Sequence, residues 1–466
     1  MAKKRVYKLQ IDHLRYPDKG IAFLDDGEGS LKEVHVKHGL PGQLVEAECS
    51  NKKKQLVGRI LQVLEHAPEE TSPICPDFSI CGGCSFLNIP YEYELELKKK
   101  MVAELLKDVW KEEIPSIIPA PNCAGYRNKM EFSFGDSDAY GLGGKLALGI
   151  RKRNRYYEVA VPVDCTLVPK DFKTLAVATL EYFKQTNETF YHRMRHIGNL
   201  RYLILRRGEF TGELLINLVT TSGLDQSHVE KWAAELLSLP LNNMPEGEIV
   251  GILHTVSDSV ADAVVPENVR VLWGRDYFYE KICGLTFRIS TFSFFQTYSA
   301  GAELLYDTVA EFVGKADKVY DLYCGTGTIA QVLATHKNVM AKEILGMELV
   351  PEAVEAAKEN AHINGITNCQ FIAGDVLKLL TSTPNSNPDV LVLDPPRDGI
   401  HPKALHNLID LGASKIVYIS CKPTSLARDL ASFMESGYKL TKIRLHDMFP
   451  RTPHVETVCL LEKVCN

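Results

Sequence analysis

The stretch from Lys318 to Thr424 constrains the fold most, because it repeats one unit: apolar strand, tight turn, helix. Lys318-Val-Tyr-Asp-Leu-Tyr-Cys-Gly-Thr-Gly-Thr-Ile-Ala330 reads as a strand, a glycine turn and the start of a helix. Ile344–Glu348 is a second strand, followed by a helical run from Pro351 to Ile363. Cys369–Asp375 is a third strand, and Asp389–Asp394, before Pro-Pro-Arg-Asp-Gly399, is a fourth. Ile416–Ile419 is a short apolar run that reads as a fifth, buried strand. Strands that alternate with helices predict a doubly wound parallel sheet, with ligands at the carboxyl ends of its strands.

Those ends carry the chemistry. Gly325 and Gly327 allow a ligand to approach the backbone. A G-x-G without the longer G-x-G-x-x-G is a weak dinucleotide signal. Glu348, 23 residues after Gly325, is placed to hold a ribose diol. Glu348, Asp375 and Asp394 at successive strand ends fit adenosine recognition without a diphosphate. This is the pattern of S-adenosylmethionine methyltransferases rather than of dehydrogenases. The fifth strand ends at Ser420-Cys421-Lys422-Pro423, and Thr424–Leu430 reads as a capped helix. Cys421 therefore sits at a strand end beside a helix N-terminus and Lys422, where a thiol is expected to ionise more easily. The plain alternative is a small buried core residue, the usual state of a free cysteine.

At 466 residues the chain is long enough for two to four domains, and 45% apolar with 24% charged residues is ordinary for a folded, soluble protein. No apolar run is long enough to span a bilayer, and Met-Ala-Lys-Lys-Arg lacks a signal-peptide core, so a cytoplasmic protein with no membrane partner is expected. The net charge of -6 argues against bulk nucleic-acid affinity, but residues 1–66 hold 12 Lys and Arg against 9 Asp and Glu. A nucleic-acid contact is therefore expected to be local. Twelve cysteines in a cytoplasmic chain point to metal or chemistry rather than to disulfides.

Residues 1–66 alternate in the strand manner over Val6–Ile11, Gly20–Leu24, Glu33–Lys37, Gln43–Glu48 and Gln55–Leu64, with turns at Asp25–Ser30 and Pro41-Gly42. This predicts a small closed barrel that adds RNA affinity rather than chemistry. Lys52-Lys53-Lys54 on one turn is either a solvated tip or part of that surface. Cys75, Cys81 and Cys84 follow with x5 and x2 spacing around Gly82-Gly83, a compact ligand loop. Zinc and an iron–sulfur cube both require a fourth ligand, for which Cys165 is a candidate; spacing does not choose between them. Tyr91–Glu113 has helical spacing, ended by Pro115, and residues 120–285 read as an α+β region with helices at Asp171–Gln185 and Gln226–Leu239. Two places there are expected to face RNA phosphates: Arg127 with Lys129 on one strand face, and the run of five arginines from Arg193 to Arg207.

Asp394-Pro-Pro-Arg397, Ser420-Cys-Lys-Pro423, His454-Val-Glu-Thr-Val458 and Phe294-Phe-Gln296 together resemble RNA 5-methyluridine (uracil-5-) methyltransferases of the RumA/TrmA family, and the likeness covers the whole chain. It implies three parts. Residues 1–66 resemble a TRAM domain, an OB-like RNA-binding barrel. Residues 67–90 and 119–285 would form a central α+β domain with a 4Fe-4S cluster on Cys75, Cys81, Cys84 and Cys165. Residues 91–118 and 286–466 would form the Rossmann-like S-adenosylmethionine methyltransferase domain. The resemblance assigns the cofactor to Gln296, Tyr323, Glu348 and Asp394; Gly325, Thr328 and Asp375 at the strand ends are expected to join them, and Phe294, Asp394, Arg127 and Lys129 are expected to meet the RNA. Cys421 would attack uracil carbon 6, making carbon 5 nucleophilic towards the methyl group, and Glu456 would then remove the carbon 5 proton. Without the family, Glu456 reads more readily as an edge-strand residue facing solvent. The barrel and cysteine loop resemble the 23S rRNA branch, with tRNA as the alternative substrate; a monomer is expected. Lys422, where many members carry Asn, is the one departure. Rival readings are methylation of an exocyclic amino group, disfavoured by Arg397 after Asp-Pro-Pro, and an inactive RNA-binding protein.

Overall fold

The computed structural model describes residues 4–25, 30–53, 55–137, 145–153, 155, 158–161, 164–240, 247–376, 378, 379 and 387–464. The centre of the expected Asp25–Ser30 turn and Lys54 lie outside them.

Strands β1 (Arg5–Arg15), β2 (Lys19–Asp25), β3 (Leu31–Lys37), β4 (Leu44–Lys52) and β5 (Gln55–Glu65) close into a barrel in the order β1-β2-β3-β5-β4. Alternation sends Leu9, Ile11, Val34, Val36, Val45 and Ala47 to its interior. The barrel is not loosely tethered. Leu14 and Leu40 pack with Phe86, Ile89, Leu97 and Met101, which ties it to the cysteine stretch and to helix α1 (Tyr91–Leu106). Helix α1 stops short of the expected Glu113. The amides of Val109 and Trp110 both donate to the Leu106 carbonyl, and the chain turns there to bury Ile114 and Ile117.

The central sheet runs β12-β11-β10-β9-β6-β7-β8. Its strands are β6 (Lys129–Asp136), β7 (Leu146–Arg151), β8 (Val159–Ala160), β9 (Leu200–Arg207), β10 (Glu213–Thr220), β11 (Glu248–Val256) and β12 (Asn268–Gly274). Helices α2 (Lys170–Lys184) and α3 (Gln226–Ser238) supply Phe172, Leu175, Phe183 and Trp232 to the core that packs on it. The position of β9 overturns the expectation for the arginine run. This strand is interior to the sheet and buried along its whole length. Arg201 donates to the carbonyls of Ser257, Ser259 and Ala261, and Arg206 to those of Ser290, Thr291 and Ser293. Arg207 pairs with Asp171 at 2.9 Å, and Arg193 with Asp262. Four of the five arginines thus hold loops and helices together instead of facing phosphate; Arg195 is exposed.

Strands β13 (Tyr277–Ile282) and β14 (Leu285–Ser290) form a separate hairpin across the expected boundary at 285. The C-terminal sheet has the order β17-β16-β15-β18-β19-β21-β20, from β15 (Lys318–Leu322), β16 (Glu343–Glu348), β17 (Cys369–Ala373), β18 (Val390–Leu393), β19 (Lys415–Ser420), β20 (Tyr438–His446) and β21 (Glu456–Lys463). The first five are parallel, and β21 is antiparallel between β19 and β20. Helices α4 (Ser299–Val313), α5 (Thr328–Thr335), α6 (Pro351–Ile363), α7 (Pro402–Asp410) and α8 (Pro423–Glu435) accompany the sheet. The strand order reverses beside β15, which opens a crevice above its carboxyl end. Among the described residues no helix is long and apolar enough to cross a membrane.

Candidate active site

The crevice holds a cavity of about 680 Å3. Its floor is the turn after β15. Tyr323, Gly325 and Gly327 have φ of 65°, 54° and 73°, in the left-handed region. A Cβ on Gly327 would stand 2.6 Å from Phe371 Cε1, so glycine is what allows β17 to pack beneath the turn. A Cβ on Gly325 would meet nothing within 4 Å; the space above it belongs to the cavity. Gly325 donates its amide to Glu348 Oε2 at 3.1 Å, and Val350 donates to Oε1 at 3.0 Å. Glu348 is thereby fixed at the cavity lip, with a further lone pair on each oxygen.

The opposite wall comes from β18, β19 and β21. The last rung between β19 and β21 pairs Ser420 with Thr457. One step further, Cys421 and Glu456 fall opposite each other, and both line the cavity with Asp394. Opposite residues of an antiparallel pair have Cα atoms about 4.5–5.5 Å apart. Glu456 is buried on an interior strand, so the solvent-facing edge reading is excluded.

Charges in this wall are strongly perturbed. Burial, then the Asp394 charge, pushes the Glu456 carboxyl up to about 8, opposed by Arg397, and Oε2 has no hydrogen-bond partner among the described residues. Burial alone raises Asp394 to about 7. The Cys421 thiol is pushed up to about 11 by burial, then by Glu456 and Asp394, against Arg397. This corrects the expected easy ionisation. Lys422 does not compensate, since its ammonium lies 3.6 Å from Asp398. Burial is the main cause, and the two carboxyls that add to it come from distant parts of the chain.

Of the residues singled out from sequence, Arg127, Phe294, Gln296, Tyr323, Gly325, Glu348, Asp375, Asp394, Cys421 and Glu456 line this one cavity. Phe294 is 69% exposed at its mouth. Thr328 and Lys129 are not brought to it. The Thr328 hydroxyl pairs with Thr326, and Lys129 is half-buried in β6. Sequence reading missed Asp321, which lies under the glycine turn. Its Oδ2 accepts the Ala330 amide, its Oδ1 has no partner among the described residues, and burial with the Asp394 and Glu348 charges raises it to about 8. A single acid within an otherwise apolar strand was the available signal.

A second cleft of about 1030 Å3 adjoins the first, and Arg127, Arg397 and Phe449 line both. Lys19, Lys37 and His38 of the barrel form one side, and Arg151, Lys152, Arg153 and Arg155 the other. This open groove is lined by cations, of which Arg151 pairs with Asp262, and Lys152 and Arg155 with Glu158.

Cys75, Cys81, Cys84 and Cys165 line one further cavity, walled otherwise mainly by apolar groups such as Phe78, Leu87, Ile150 and Leu167. The loop is fixed by Arg153, which donates to the carbonyls of Cys81 and Cys84. Burial raises the Cys84 thiol to about 12, and the other three thiols add to it. Among the described residues no three His, Cys, Asp or Glu side chains form a ready-made ion site.

The sheet order and a roomy cavity with acids at the strand ends are those of an S-adenosylmethionine-dependent methyltransferase. Residues 264–464 match the family described as tRNA (Uracil-5-)-methyltransferase. A Clostridium tetani protein described as an uncharacterized RNA methyltransferase is 43% identical over 99% of both chains. A Caldanaerobacter subterraneus subsp. tengcongensis protein with the same description is 42% identical over 99% of this chain and 100% of its own. The crystal structure of Pyrococcus abyssi tRNA (uracil-54, C5)-methyltransferase in complex with S-adenosyl-L-homocysteine matches with a TM-score of 0.75 at 25% identity, over 97% of this chain and 99% of that one. The chain belongs to the S-adenosylmethionine-dependent RNA uracil-5-methyltransferase family and is an RNA methyltransferase.

Proposed function

We propose that the protein methylates carbon 5 of one uridine in 23S rRNA through a covalent Cys421 adduct, with Glu456 as the base. The observation that carries this reading is the placing of Cys421 and Glu456 opposite each other in one buried wall. Cys421 adds to carbon 6 and pushes electron density to carbon 5. Bound S-adenosylmethionine supplies an electrophilic methyl group. Glu456 then takes the carbon 5 proton, the carbon–sulfur bond breaks, and the thiolate leaves. Arg397 is the cation beside Cys421 that favours its thiolate. Asp394 orients the uracil edge. Gln296, Tyr323, Glu348 and Asp375 hold the cofactor, with Glu348 on its ribose.

The RNA lies in the outer cationic cleft and presents an unstacked uridine to the inner cavity, which Phe294 guards. The barrel acts as a TRAM-type RNA-binding module. Cys75, Cys81, Cys84 and Cys165 would hold a 4Fe-4S cluster, whose four thiolate bonds would tie the cysteine loop to the central domain. Mass mapping of 5-methyluridine in 23S rRNA and tRNA, with and without the gene, tests the target. Loss of one rRNA site supports the reading, whereas loss confined to tRNA assigns the tRNA alternative.

A further inference from the structure

The turn between β1 and β2 reaches far from the barrel's own core. The Tyr16 hydroxyl is 3.5 Å from His454 Nδ1, two residues before Glu456. The ring of Tyr16 packs in the apolar cluster of Leu14, Phe86 and Leu97. Asp18, two residues on, pairs with His38 at 3.1 Å and accepts from the Ser85 hydroxyl at 3.4 Å. The turn is thus pinned both to the barrel and to the cysteine stretch. His454 itself stands edge-on to Phe449, 5.9 Å between ring centres, and lines the outer cleft.

The electrical surroundings agree with this placement. Cys421, Arg397 and Glu456 all act on the Tyr16 hydroxyl, which burial raises to about 12. Burial, then Arg397, Lys98 and Arg127, holds His454 down to about 4, so its ring is neutral near pH 7. A neutral ring that accepts a hydroxyl proton at Nδ1 carries its own proton on Nε2. The contact at Nδ1 thus ties the ring of His454 to a residue of the barrel.

We propose that Tyr16 is a positioning residue for the methyl transfer reaction: through His454 it fixes the entry to β21, and with it Glu456, so that the N-terminal barrel completes the catalytic pocket. This gives the barrel a share in turnover beyond the RNA affinity expected from its sequence. It rests on Glu456 being the base.

The test is steady-state and single-turnover methylation of RNA by full-length Tyr16→Phe, His454→Gln and the double variant. Tyr16→Phe keeps the packed ring, and cofactor binding by calorimetry checks that it is folded. The loss of this contact predicts a fall in kcat of about tenfold. KM for RNA should stay within about twofold, because the contact is not to RNA. A methylated Cys421–RNA adduct should accumulate in Tyr16→Phe, since the slowed step follows attack. The double variant should be no slower than His454→Gln alone. Wild-type kcat in Tyr16→Phe, a change confined to KM, or additive losses in the double variant would each overturn the proposal. The kcat comparison does not depend on how Cys421 acts. A Glu456→Gln enzyme that forms no adduct would sink the covalent route and leave the role of Tyr16 to be decided by kcat.

Discussion

The Asp394 carboxyl is, after burial itself, the strongest influence that keeps a proton on Glu456 up to about pH 8. A base must be ionised to act. If proton removal from carbon 5 limits turnover, kcat should rise about tenfold per pH unit from pH 6 and level off near pH 8. Asp394→Asn removes a neighbouring negative charge, so the rise should move to lower pH even as the rate falls. A pH-independent kcat between 6 and 8 would show that another step limits turnover or that Glu456 is not the base.

Asp321 is buried, half-satisfied and raised to about 8. Its folded-state value lies above its unfolded value, so it favours the fold while protonated and loses that contribution as pH rises through about 8. Asp321→Asn should therefore raise the melting temperature of the cofactor-free protein at pH 9 by several degrees, and have little effect at pH 5. Thermal unfolding at the two pH values checks this; equal shifts at both would contradict it.

Arg206 separates structural from RNA-facing charge. Arg206→Ala leaves the carbonyls of Ser290, Thr291 and Ser293 without their donor, at a cost of about 3 kcal/mol or more. RNA affinity of the folded fraction should stay unchanged. Arg155→Ala, in the outer cleft, should weaken RNA binding and reduce its salt dependence with stability retained. The reverse pattern, read by filter binding and chemical denaturation, would return the interface to β9.

The proposed 4Fe-4S cluster on Cys75, Cys81, Cys84 and Cys165 predicts a brown protein after anaerobic purification, with about four irons per chain. Removal of the iron by a chelator should lower thermal stability, because the four thiols then lose the group that joins them. Stoichiometric zinc without iron in that preparation would contradict the cluster.

How much of this was legible in the sequence depended on distance along the chain. The barrel strands, the β15 glycine turn and helix α6 rest on local alternation and turn chemistry, and they stand where the periodicity put them. Cys421 and Glu456 stood out by motif, and both line the cavity. What failed was set by neighbours remote in sequence. The arginine run looked like a charged surface until β9 proved to be an interior strand. The expected ease of ionising Cys421 ignored its burial first, and then Glu456 and Asp394, which only folding brings beside it. Helix α1 ends early because a turn serves the packing of Ile114 and Ile117, which helical spacing does not encode. The contact of Tyr16 with His454 spans 438 residues and carries no local signal.

The central claim is that Cys421 attacks first and Glu456 acts only after methyl transfer, so the two variants must fail differently. Glu456→Gln, incubated with RNA and methyl-labelled S-adenosylmethionine, should accumulate a protein–RNA adduct that carries the label and survives denaturing electrophoresis. An amide cannot take the carbon 5 proton, so the thiol is not expelled, and product appears only slowly as water replaces the base. Cys421→Ala should bind cofactor and RNA and form no adduct. Turnover of Glu456→Gln at the wild-type rate, or a labelled adduct from Cys421→Ala, would contradict the assignment.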